Sequence, residues 1–67
     1  MSRFSVRLKE LRAEAGLRQC ELAQSLNVDQ RTVSNWEKGV REPNIDTIIK
    51  IAKYFETSTD YLLGVID

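Results

Sequence analysis

The 67-residue chain has no histidine, one cysteine (Cys20), one proline (Pro43) and three glycines. Each scarcity excludes something. Without histidine there is no common general base and no common metal ligand. Cys20 alone makes neither a metal site nor an intramolecular disulfide, and as a nucleophile it would need an activating partner that the chain does not supply. It is read as a small side chain near a helix start. Neither catalysis nor a cofactor is expected, and a single thiol fits a reducing cytoplasm. No apolar run approaches the roughly 18 residues of a membrane span, and no basic-then-apolar segment opens the chain as a secretory signal would.

Length and charge narrow the choice further. A chain this short makes one domain, residues 1–67, and buries only about 60% of the surface its unfolded form exposes. Dimerisation is a natural way to bury more. Ten Lys and Arg balance ten Asp and Glu, but unevenly along the chain. Residues 1–41 hold eight basic side chains against five acidic ones, for +3; residues 42–67 hold two against five, for −3. That polarity suits a basic face turned to a polyanion and an acidic face turned away, although ordinary solvated charge gives the same counts.

Apolar spacing predicts five helices and no strand. Phe4, Leu8, Leu11 and Ala15 recur at steps of three and four, and Gly16 stops that first helix in the left-handed cap conformation. Gln19 to Leu26 is the second, with Leu22, Ala23 and Leu26 on one face. Asp29 caps the third, Gln30 to Lys38. Gly39 and Pro43 punctuate a loop. Asn44 caps a fourth helix, with Ile45, Ile48, Ile49, Ala52 and Phe55 assigned to the core. Ser58 caps a short fifth helix carrying Tyr61, Leu62 and Leu63. Tyr54 is expected to cover Phe55 with its hydroxyl in water.

The third helix raises the functional question. In DQRTVSNWEKG only Val33 and Trp36 are apolar, and both point inward, so the remaining surface is almost wholly hydrogen-bonding groups. The link before it, LNVD, allows only a sharp turn, and Asn27 is the best non-glycine residue for the positive φ required. Ala23 is small where the two helices would cross. A helix, a tight turn and a second helix with a polar outer face is the arrangement that enters a DNA major groove.

Over residues 8–63 the chain resembles the Cro/repressor-type helix-turn-helix family, also called the xenobiotic-response-element family. The resemblance rests on Gln19, Leu22-Ala23, Val33-Ser34, Trp36-Glu37, Gly39, Arg41, Pro43 and Ile51-Ala52 at matching spacing. It implies an all-α, compact five-helix, lambda-repressor-like domain, with a helix-turn-helix spanning about residues 19–38, that binds operator DNA as a dimer. Two positions depart from the pattern. Asn27 replaces a usual glycine, conservatively. Arg18 replaces a usual Thr or Ser cap; its guanidinium cannot accept from free amides and opposes the helix dipole. Either the second helix has a weak cap, or Arg18 holds a phosphate; the phosphate is the preferred reading.

Roles follow by position. The resemblance places Gln30, Arg31, Ser34 and Asn35 against bases, where Arg31 suits guanine and Gln30 or Asn35 suits adenine. Arg18, Gln19, Thr32, Lys38 and Arg41 are assigned to phosphates, with Gln19 also bracing the third helix. Arg12 and Glu37 occupy the positions of a buried ion pair between helices one and three. The dimer contact is assigned to the tail, residues 58–67, through Tyr61, Leu63, Val65 and Ile66, joined by Pro43 and Thr57; Leu62 is left to the core. Three functions fit: a dimeric operator-binding repressor, a DNA-binding antitoxin, and a protein-interaction module that has lost DNA binding. Gln19, Arg31, Asn35 and Arg41 argue against the last.

Overall fold

The computed structural model describes residues 3–66. The ends of the expected 1–67 domain, including Asp67 of the expected contact tail, lie outside the described residues. Local chemistry fixes where the helices begin and end. Helix α1 (Phe4–Glu14) closes before Gly16, which takes φ +71°. Helix α2 (Gln19–Leu26) ends at Asn27, left-handed at φ 59° and ψ 44°. Asp29 starts α3 (Gln30–Lys38) by accepting from the Arg31 amide at 2.8 Å. Asn44 does the same for Thr47 at the start of α4 (Ile45–Tyr54), and Ser58 for Tyr61 at the start of α5 (Thr59–Leu63). No strand occurs among the described residues.

The helices enclose one core: Phe4 and Leu8 from α1; Leu22, Ala23 and Leu26 from α2; Val33 and Trp36 from α3; Ile51 and Ala52 from α4; and Leu62 from α5. Phe4 meets Trp36 edge-on at 6.3 Å, which packs α1 directly against α3. Ala23 is 2% exposed, and its missing bulk lets α2 and α3 cross closely around the Asn27 turn. Helix α4 secures the end of α2 from outside: Lys50 Nζ donates to the Leu26 carbonyl at 3.1 Å, and the Tyr54 hydroxyl to Ser25 Oγ at 3.3 Å. The last turn of α2 has no basic residue of its own, so Lys50 places a cation where its carbonyls point.

Two expectations need correcting. Ile45 and Ile49 are not core but exposed, at 75% and 41%. The inward stripe of α4 is Ile48, Ile51, Ala52 and Phe55; Ile49 stands roughly 100° off Ile48, and Ile45 opens the helix beyond the stripe. Ala15 is exposed because α1 ends at Glu14, one residue before the stripe would bury it. Tyr54 covers Phe55 with rings edge-on at 5.0 Å, and its hydroxyl lies at the exposed surface, where it also donates to Ser25 Oγ.

Candidate nucleic-acid interface

Because Val33 and Trp36 are drawn into the core, α3 has only its polar arc left to present. Gln30 and Arg31 are exposed; Ser34 and Asn35 are half-buried along the same outward side. These four surround one open concavity of ≈ 370 Å³, with Gln19 entering from the start of α2 and Lys38 closing the far end. Asn35 also borders a second hollow of ≈ 340 Å³, shared with Thr32, the edge of Trp36, Arg41 and Glu42. The two hollows flank α3, so the base-contact candidates line the first, while Thr32 and Arg41 lie at the second. The loop carrying Arg41 is held by Val40 N–H donating to the Asn35 carbonyl at 3.1 Å, beyond left-handed Gly39.

The orientation of α3 is held by one carboxylate. Arg12 Nε donates to Glu37 Oε2 at 2.6 Å and Arg12 Nη2 to Glu37 Oε1 at 3.1 Å, a two-pronged clasp from α1. Gln19 Nε2 donates to Glu37 Oε1 at 3.0 Å from the first residue of α2. Arg12 is further fixed by Nη1 donating to the Leu17 carbonyl at 2.7 Å. The Glu37 side chain is 4% exposed and that of Arg12 16%. Burial pushes the Glu37 carboxyl up, but hydrogen bonds from Arg12 and Gln19, with the charges of Arg12 and Lys9, outweigh it and hold the group below its ordinary value. The hydrogen bond to Glu37 raises Arg12 in turn, against its own burial. One ionised carboxylate thus joins three helices behind the outer face of α3.

Arg18 precedes α2 in extended conformation and contributes no side-chain cap. Glu21 supplies the available half of a capping box, its Oε1 accepting from the Arg18 amide at 2.8 Å. The Arg18 side chain itself is exposed.

The residues assigned to a dimer contact do not form one uniform surface. Val65 and Ile66 are exposed, at 71% and 50%. Leu63 is half-buried against the core, Tyr61 lies half-buried beneath Arg7, and Pro43 and Thr57 are half-buried. Sequence reasoning missed Arg7, which it counted only as charge. Arg7 is 7% exposed, and its Nη1 donates to the carbonyls of Tyr61 at 2.8 Å and Ile66 at 3.1 Å. The signal was present: Phe4, Arg7, Leu8 and Leu11 occupy one arc of α1 at the i, i+3, i+4, i+7 spacing.

Comparison with known proteins adds sequence and structural likeness. A family model described as helix-turn-helix matches residues 8–62. The chain is 47% identical over 58 residues to the HTH-type transcriptional regulator ImmR of Bacillus subtilis, covering 87% of this chain and 46% of ImmR. Its fold superposes with a TM-score of 0.92 on a transcriptional regulator from Listeria innocua at 36% identity, covering 100% of this chain and 63% of that one. The c2 repressor of Salmonella phage P22, solved in complex with a synthetic operator, gives a TM-score of 0.84 at 30% identity, covering 90% of this chain and 91% of that one. The chain spans about half the length of ImmR.

Proposed function

The chain belongs to the helix-turn-helix family, and from that premise we propose that it is a sequence-specific, dimeric operator-binding repressor that lays α3 into the DNA major groove. The observation that carries this reading is the shared concavity of Gln19, Gln30, Arg31, Ser34 and Asn35, backed by the buried Glu37 clasp. Arg31 offers a two-pronged contact to guanine, and Gln30 or Asn35 one to adenine. Ser34 reads a base edge with its hydroxyl. Lys38, Thr32 and Arg41 neutralise or bond phosphates on either side, giving affinity without sequence information. Gln19 uses one N–H on Glu37, leaving its second N–H for a phosphate. Because Glu21 already takes the Arg18 amide, Arg18 acts through its guanidinium rather than through the helix start.

Dimerisation follows from scale. One helix of nine residues touches few base pairs, while specific complexes typically reach about 10⁻⁸ M or tighter. A two-fold pair doubles the contacts and sets the two α3 helices roughly 34 Å apart, one turn of DNA. The contact is assigned to Val65 and Ile66 with Tyr61, Leu63, Pro43 and Thr57. Selection of bound duplexes from a random library tests the reading. Enrichment of an inverted repeat with half-sites about 10 base pairs apart supports it; recovery of unenriched sequence rules it out.

A further inference from the structure

A buried guanidinium is a costly way to close a small core. An apolar side chain of similar size would fill the place beside Phe4 and Leu8 at least as well, because removing a charge from water is repaid only by well-directed partners. Arg7 has such partners, and they belong to the C-terminal segment. Its Nη1 donates to the carbonyls of Tyr61 and Ile66, and its guanidinium carbon sits 4.1 Å from the centre of the Tyr61 ring.

Two further features hold the same segment. The Arg3 amide donates to the Leu63 carbonyl at 3.2 Å. Gly64, at φ +84°, turns the chain back towards α1, with its Val65 neighbour donating to the Asp60 carbonyl at 2.8 Å. A Cβ at Gly64 would stand 2.8 Å from Arg3 Cβ, so no other residue fits without moving one of the two strands of chain. What these anchors fix in space is Val65 and Ile66, two apolar side chains turned outward. An apolar residue at position 7 could cover the core but could not direct two carbonyls.

We propose that Arg7 is a positioning residue for self-association: by binding the Tyr61 and Ile66 carbonyls and stacking on Tyr61, it presents Val65 and Ile66 as a preformed contact for a second copy of this chain. The inference rests on the dimeric reading above. Preformation matters because ordering a loose tail at the moment of association would subtract from a small contact. Arg7 does not touch the outer face of α3, so its effect is confined to the coupling between two copies.

The experiment compares wild type, Arg7→Lys and Gly64→Ala on two duplexes: one carrying both selected half-sites and one carrying a single half-site. Arg7→Lys keeps the charge but removes the guanidinium from over the Tyr61 ring, and its ammonium falls one bond short of the Nη1 position that serves both carbonyls. Gly64→Ala displaces the segment with Arg7 intact. Both variants are first confirmed as folded by circular dichroism. Each is expected to bind the single half-site within about twofold of wild type. Each should lose at least tenfold on the double site. Should Arg7→Lys fail to fold, Gly64→Ala decides in the same way. Full coupling in a folded variant overturns the role of Arg7 and leaves the dimeric reading standing. Equal losses on both duplexes also overturn it, since Arg7 would then support the domain as a whole. No coupling in wild type overturns the dimeric reading itself.

Discussion

Arg31 and Arg41 carry the same charge but border different hollows of α3, and that difference gives them separable phenotypes. Replacing Arg31 with alanine should cost about 1–3 kcal/mol on the preferred duplex and relax the preference at one position of each half-site. Replacing Arg41 should weaken every duplex alike and reduce the salt slope by about one. Competition binding across single-base variants at two salt concentrations checks both; the opposite pattern would exchange their roles. Glu37 acts from behind. Glu37→Ala leaves Arg12 part-buried without its carboxylate, and should cost about 3 kcal/mol, the low end for such pairs because Arg12 keeps its bond to Leu17 and some water. Thermal unfolding should fall by more than about 10 °C. Because Glu37 is held below its ordinary value, the unfolded chain takes up that proton first as pH falls. The stabilisation is therefore complete above about pH 5 and lost progressively below it. Wild type should lose more melting temperature between pH 6 and pH 3 than Glu37→Gln; parallel losses would contradict the assignment. At this scale the resemblance placed Arg12 and Glu37, whose partner is 25 residues away and leaves no local trace. Arg7 escaped because charge was counted as solvated, although its spacing put it on the buried arc of α1.

The helix boundaries were legible because caps are short-range chemistry. Asp29, Asn44 and Ser58 each accept from an amide two or three residues on, and Asn27 takes the left-handed turn its side chain favours. The facing of α4 was not. Its run of isoleucines offers several stripes, and only packing against α2 and α5 selects Ile48, Ile51, Ala52 and Phe55. The end of α4 carries its own prediction. Glu56 sits at φ 54°, a conformation that costs most residues about 1–2 kcal/mol. Part of that is returned when glycine replaces it, after the greater entropy glycine loses on folding. Glu56→Gly should therefore raise stability by about 0.5–1 kcal/mol. Calorimetry should show a melting point about 2–6 °C higher; a lower one would mean that the Glu56 side chain holds the turn.

At the scale of the molecule, the fold turns one amphipathic helix outward and uses the other four to hold it. Periodicity identified the face of α3, since a polar helix has only one arc to offer once Val33 and Trp36 are buried. Of the residues proposed for self-association, Leu63 and Tyr61 pack within the chain, and Val65 and Ile66 stand exposed on a segment held by Arg7, the Arg3 amide and the Gly64 turn. The central claim, that two α3 helices read bases from the major groove one turn apart, is tested most directly by methylation interference on a selected duplex. Methylation of guanine N7 marks the major groove and that of adenine N3 the minor groove. The account predicts interference at guanine N7 on symmetry-related positions about 10 base pairs apart, abolished in Arg31→Ala protein. Interference confined to adenine N3, or to one half-site, or unchanged in Arg31→Ala, would contradict it.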